Sequence, residues 1–166
     1  MESLHYLKIY LNDHRAGAAA GTDLARRVWR SNRSEPWANE LNELRKSIKA
    51  EKETLDAVRA SVGVTGGHLR RGGAWIVERA SRLRPTGHFL RYSPLMRVTE
   101  LEALMSGVQS KQGLWAALQQ ATAWLPDLAR FDFAALAQQS SSQLRTLGEI
   151  HEWAARQCFQ PIANNP

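Results

Sequence analysis

The sequence is organised around stripes of apolar residues that recur every three or four positions in four long segments. In the second segment the stripe consists of Leu41, Leu44, Ile48, Glu51, Leu55, Val58 and Val62. This spacing defines one face of an α-helix, and it predicts that Glu51 points into the core. His14, Lys111 and His151 hold equivalent places in the first, third and fourth stripes. Helices with such faces are stable when they pack together, so the pattern indicates a helical bundle with ionisable groups inside.

Four long helices are predicted, separated by residues that end helices. The expected boundaries are residues 3–30, 37–62, 94–125 and 132–159. Ser93 is a favourable N-cap and Pro94 a favourable first helical residue. The two short links predict two antiparallel hairpins. Residues 63–93 join the hairpins, are long enough to return along the bundle, and contain an amphipathic pattern that predicts a shorter helix over about 68–84.

Composition limits the class of protein. A chain of 166 residues, 43% of them hydrophobic, is long enough for one domain with a substantial core, expected over residues 1–160 with a tail at 161–166. Its single cysteine, Cys158, excludes an intramolecular disulfide and a multi-cysteine metal site. No segment has the pattern of a signal peptide or a membrane span. We therefore expect an all-α cytoplasmic protein of one domain.

Two antiparallel hairpins joined by one long connection correspond to the ferritin-like topology. The stretches Leu11–Arg27 (LNDHRAGAAAGTDLARR) and Tyr92–Leu104 (YSPLMRVTELEAL) also resemble uncharacterised bacterial proteins of the ferritin-like superfamily. The resemblance covers most of the chain and consists of helix-packing motifs. It implies a ferritin-like four-helix bundle with a crossover that contains a shorter helix, and it implies no particular activity.

The standard metal ligands of active ferritin-like proteins are a Glu on each of two helices and a Glu-x-x-His pair on each of the other two. In this chain only Glu2 and His5 have the required spacing, and they lie at the start of the first helix. Glu149 and His151 are two residues apart, which turns them about 200° from each other around a helix. The sequence therefore lacks the standard di-iron ligands, and no cofactor is predicted.

A different polar core is expected where ionisable residues of the stripes lie at similar depth. Parallel second and third helices would bring His14, Glu51 and Lys111 together, with Glu102 and His151 about 10 Å nearer one end. One interpretation is a buried ion pair between Glu51 and Lys111, hydrogen-bonded to His14, that fixes helix register. The alternative is a mononuclear site for iron, manganese or zinc, or a small-ligand site, built from His14, Glu51, Glu102 and His151.

The net charge of +6 is concentrated in the long connection. Aromatic residues are interleaved with its arginines, and a segment of this kind can contact phosphates and stack on bases or lipid headgroups. The same pattern also fits a helix that lies on the bundle with its polar face in solvent. The arginines of this predicted basic surface are Arg70, Arg71, Arg79, Arg82, Arg84 and Arg91.

These observations lead to one functional expectation and two alternatives. We expect a non-catalytic structural or interaction protein on a ferritin-like scaffold, which forms a homodimer or binds a protein partner. Glycines and alanines make the first helix narrow and allow another helix to approach it closely. The first alternative is a metal-binding protein or metal-dependent oxidoreductase with an atypical site in the bundle core. The second is binding of nucleic acid or an anionic membrane through the arginines of the connection.

Overall fold

A computed structural model describes residues 2–64 and 92–160 of the chain. It contains four long α-helices, α1 (Glu2–Ser31), α2 (Ala38–Ser61), α3 (Pro94–Ala121) and α4 (Phe133–Phe159), and a short 3₁₀ helix at Pro126–Leu128. These ranges contain no β-strand, which confirms the predicted all-α four-helix bundle. None of the described helices combines the length and apolar character that crossing a membrane requires. The predicted helix over 68–84 and the tail at 161–166 lie outside the described residues.

The helix ends follow local signals in the sequence. The hydroxyl of Ser93 accepts a hydrogen bond from a backbone N–H in the first turn of α3, where Pro94 also lies. Asp132 caps α4 in the same way. α3 ends at Ala121, earlier than the expected boundary at residue 125. Pro126 disfavours helical geometry at Leu125, which has φ −126° and ψ 87° and therefore lies outside the helix.

Buried apolar residues form two clusters, one at each end of the bundle, and each cluster draws on all four helices. The first lies where α1 and α4 end and α2 and α3 begin: Ala25, Val28, Leu41, Leu44, Ile48, Val98, Leu101, Leu104, Val108, Leu147, Ile150 and Ala154. The second contains residues from the opposite ends: Leu11, Leu55, Val58, Val62, Leu114, Trp115, Leu118, Ala121, Leu128 and Phe133. α2 and α3 therefore run in one direction, and α1 and α4 run in the other.

The helices pair as α1 with α2 and α3 with α4, and the two hairpins contact each other mainly through α1 and α3. The stripe predicted for α2 is buried at every position, and Val58 has no exposed surface. Val64 packs with the second apolar cluster, whereas Tyr92 contacts the end of α1. The two described residues that flank the connection therefore lie at opposite ends of the bundle.

A polar network joins the hairpins where α1 ends and α3 begins. The Asn32 amide donates to the Tyr92 hydroxyl at 3.2 Å, and this hydroxyl donates to Glu100 at 3.1 Å. Arg97 donates to the Asn32 side-chain oxygen at 2.6 Å and also to Glu35. Burial raises the pKa of the Tyr92 hydroxyl, so it stays a neutral donor. Because Asn32 and Glu100 are each only 2% exposed, the network holds the hairpins in a fixed relation.

Removal of the Tyr92 hydroxyl tests the network. We expect Tyr92→Phe to lower the free energy of unfolding by about 1–2 kcal/mol, because Asn32 and Glu100 would each lose a partner while buried. Urea denaturation followed by circular dichroism measures the change. Tyr6→Phe, at a position 65% exposed, is the matched control. Equal losses in the two variants would contradict the role assigned to the network.

Candidate binding site

A layer of polar side chains lies between the two apolar clusters. The Lys111 ammonium donates to one carboxylate oxygen of Glu51, and to the side-chain oxygen of Gln143 at 2.6 Å. The Gln143 amide donates to the other carboxylate oxygen of Glu51 at 2.9 Å and to the Ser47 hydroxyl at 2.8 Å. Glu51, Lys111 and Gln143 thus form a closed ring, to which α2, α3 and α4 contribute one member each.

The ring neutralises a buried charge. The Glu51 side chain is 3% exposed and that of Lys111 is 16% exposed. A carboxylate at this depth would strongly destabilise the fold without an opposite charge and hydrogen-bond donors. Burial lowers the pKa of Lys111, and the adjacent Glu51 carboxylate acts in the opposite direction. Since both Glu51 oxygens are occupied, the ring has the properties of a structural ion pair.

The ion pair expected between Glu51 and Lys111 is present, but its third member differs from the expectation. Gln143, rather than His14, completes the hydrogen bonds of the Glu51 carboxylate. His14 packs edge-on against Tyr10 of its own helix, with the ring centres 4.4 Å apart. Partial burial lowers the pKa of the His14 imidazole, which favours the neutral form. The polar layer therefore contains no side chain of α1.

Glu102 and His151 lie apart from the polar layer. They contact each other at 3.2 Å between α3 and α4, and the Glu102 side chain is 57% exposed. The neighbouring residue of α4, Ile150, is the one that enters the core. Among residues 2–64 and 92–160, no three His, Cys, Asp or Glu side chains are grouped so that they could hold a metal ion. The proposed ligands of an iron, manganese or zinc site therefore do not meet at one point.

A groove runs between α1 and α3 and reaches the polar layer. It has a volume of about 380 Å³ and extends over residues 14–27 of α1 and 103–115 of α3. At about 1.5 Å per residue its length is roughly 20 Å. Small and apolar residues dominate the lining: Gly17, Ala18, Ala20, Gly21, Leu24, Ile48, Leu55, Ala103, Leu104, Ser106, Gly107, Val108, Ser110, Leu114 and Trp115. The ionisable lining residues are His14, Asp23, Arg27, Glu51, Lys52 and Lys111.

Two glycines on opposite walls of the groove have no packing role in the described part of the chain. A β-carbon placed on Gly21 or Gly107 would meet no heavy atom of residues 2–64 or 92–160 within 4 Å. Glycine inside a helix nevertheless costs about 1 kcal/mol relative to alanine. The small residues of α1 are predicted to permit close approach of another helix. Beside Gly21 in α1 and Gly107 in α3, the described residues leave the space between these two helices open.

Two important residues escape the sequence-based predictions. Gln143 lies four positions before the buried Leu147, and Glu100 lies four positions before the buried Leu104. This helical spacing is the feature of the sequence that indicates that both polar residues face the core. The predicted basic surface falls within residues 65–91, outside the described ranges. It comprises Arg70, Arg71, Arg79, Arg82, Arg84 and Arg91.

No known protein family, curated protein or solved structure matches this chain. The chemistry of the side chains and the shape of the groove are therefore the basis of the functional proposal.

Separation of the buried ion pair tests its structural role. We expect Lys111→Met to lower the free energy of unfolding by about 3 kcal/mol, because Glu51 loses its counter-charge. Adding Glu51→Gln should restore most of the loss, and urea denaturation of the four proteins in the double-mutant cycle gives the coupling energy. Lys46→Met, which breaks an exposed pair with Glu43, is the matched control. A similar loss in that variant would show that burial of the pair is unimportant.

The partial burial of His14 predicts a pH dependence of stability. Its folded-state pKa lies below the ordinary value of 6.5, so the unfolded chain binds the proton more readily. Neutral His14 therefore contributes to the free energy of unfolding in full when the pH is above that ordinary value. The contribution is lost as the pH falls through the lower folded-state pKa. We expect the free energy of unfolding to fall between about pH 7 and pH 5, and His14→Gln to flatten the fall. Chemical denaturation across this range measures both slopes, and identical slopes would refute the prediction.

Proposed function

We propose that this chain is a non-catalytic binding protein on a ferritin-like four-helix scaffold, and that it holds a slender apolar molecule between α1 and α3. The observation that carries the proposal is the open space beside Gly21 and Gly107, which the described chain does not fill. Glycines at these positions weaken both helices. A ligand in the groove would occupy the space that these two glycines keep clear.

The size and lining of the groove suit a small organic ligand. A volume of about 380 Å³ lies within the range of roughly 300–1,000 Å³ that ligand pockets occupy. Spread over roughly 20 Å of helix, this volume describes a narrow trough. Each methylene group transferred from water into an apolar trough contributes about 0.8 kcal/mol. A flexible hydrocarbon chain fits this shape better than a fused ring system does.

The state of the polar layer favours binding over catalysis. Both oxygens of Glu51 are engaged by Lys111 and Gln143, so the carboxylate is not poised as an acid or a base. A metal-dependent reaction would need converging ligands, and the described residues offer no group of three. The nucleic-acid and membrane alternative depends on arginines within residues 65–91 and draws no support from the described ranges.

The helix directions support the ferritin-like part of the proposal. α1 and α4 run one way and α2 and α3 the other, as expected when one long connection joins two antiparallel hairpins. The homodimer, the protein partner and the cytoplasmic location stay predictions from the sequence.

Filling the groove tests the proposed function. Gly107→Leu places a side chain in the open space and should abolish binding of decanol, an uncharged chain, in isothermal titration calorimetry. The same substitution should raise thermal stability, because leucine forms helices better than glycine by roughly 0.8 kcal/mol. Gly113→Leu is the matched control, since it occupies an equally open position of α3 outside the groove.

The proposed function is supported if decanol binds to the wild type and to Gly113→Leu but not to a stably folded Gly107→Leu. It is overturned if the wild type does not bind decanol, or if Gly107→Leu binds it with the same affinity. Gly107→Leu should thus raise thermal stability while it lowers the affinity for decanol. Substitution of a residue whose only role is to support the fold would not produce this combination.

A further inference from the structure

We infer that the ligand of the groove is an aliphatic carboxylic acid, with its carboxylate on Lys52 and its hydrocarbon chain extending past Gly21 and Gly107. The inference rests on the proposed function and adds the chemical class of the ligand and its orientation. It is based on the distribution of charge around the part of the groove that α2 lines.

Positive charge exceeds negative charge beside Lys52. Arg15 binds the Asp56 carboxylate, Arg59 contacts it at 3.4 Å, and Lys52 lies 3.5 Å from its other oxygen. Three cations share one carboxylate, so the group has a net charge of +2. Partial burial acts to raise the pKa of Asp56, but the neighbouring Arg15 and Lys52 outweigh it and lower the pKa, which keeps that carboxylate ionised. A carboxylate ligand would lower the net charge of this group to +1.

Lys52 differs from the other lysine and arginine side chains that line the groove. Arg27 and Lys111 each bind a buried carboxylate directly. Among the described residues Lys52 forms an ion pair with the Oδ2 atom of Asp56 at 3.5 Å, while Arg15 binds the Oδ1 atom. This pair is longer than the 2.7 Å contact between Arg27 and Glu100. The Lys52 side chain is 24% exposed and lines the groove, so its ammonium can reach a ligand. Within the described ranges, Lys52 is therefore the groove cation that is best placed to bind an acid.

The described residues of the groove offer no comparable attraction to a cationic head group. Of the two carboxylates among them, Glu51 has both oxygens bound within the polar layer. Asp23 pairs with Arg26 at 2.8 Å and its side chain is 71% exposed. A carboxylate beside Lys52 gains a charge-assisted hydrogen bond in a partly buried setting, where the attraction exceeds that in water. Head-group charge should therefore decide affinity among chains of equal length.

The effect of the head group on affinity is measured by titrating the full chain with decanoate, decanol and decylamine. Decanoate and decylamine are kept below their critical micelle concentrations and decanol below its solubility limit. We expect decanoate to bind about tenfold more tightly than decanol, and decylamine to bind more weakly than decanol. Lys52→Gln should remove the preference for decanoate over decanol, and Lys52→Arg should retain it. Lys49→Gln is the matched control, because it removes an exposed lysine of the same helix that pairs with Glu53.

The outcomes separate this inference from the proposed function. Equal affinities for the three compounds would overturn the inference that the ligand carries a carboxylate. They would leave the proposed function intact, because decanol binding tests the groove alone. A preference for decanoate that persists in Lys52→Gln, or that is lost in Lys49→Gln, would overturn the inference that the head group binds Lys52. If neither decanol nor decanoate binds, the inference and the proposed function both fail.

Discussion

The structure depends on the neutralisation of one carboxylate, that of Glu51, in the middle of a helical core. An ionised group at 3% exposure is tolerated when it has an opposite charge and a full set of hydrogen bonds. Lys111 and Gln143 supply these from two other helices, so both must reach the same point. Advancing one helix by a single residue rotates its side chains by about 100° and would break the ring. One buried charge therefore fixes the rotation of α2, α3 and α4 together.

α1 contributes no member to this ring, and the groove lies along it. α1 is anchored towards its ends by Leu11 and Val28, neither of which has exposed surface. Between these anchors the α1 side of the groove is lined mainly by glycine and alanine, apart from Leu24 and the ionisable residues His14, Asp23 and Arg27. Larger apolar residues there would cover the polar layer and enlarge the core. Their absence is the kind of local departure from good packing that proteins retain at functional sites.

The sequence predicts the inward faces well where a stripe is long and regular. The α2 stripe is buried throughout, and counting helical turns correctly pairs Glu51 with Lys111. In α4 the pattern is less decisive, because Leu147 and Ala154 are at helical spacing from both Ile150 and His151. The sequence places His151 inside, whereas Ile150 enters the core and Gln143 provides the polar group. The groove is not predictable, since small residues permit either a short or a long distance between two helices.

The division of the core into two apolar clusters affects how the protein opens. Each cluster is a separate unit of contacts, with hydrogen bonds rather than hydrophobic packing between them. Local unfolding of one half can therefore occur while the other half keeps its packing. A molecule seated in the groove would contact both halves and join them into one cooperative unit.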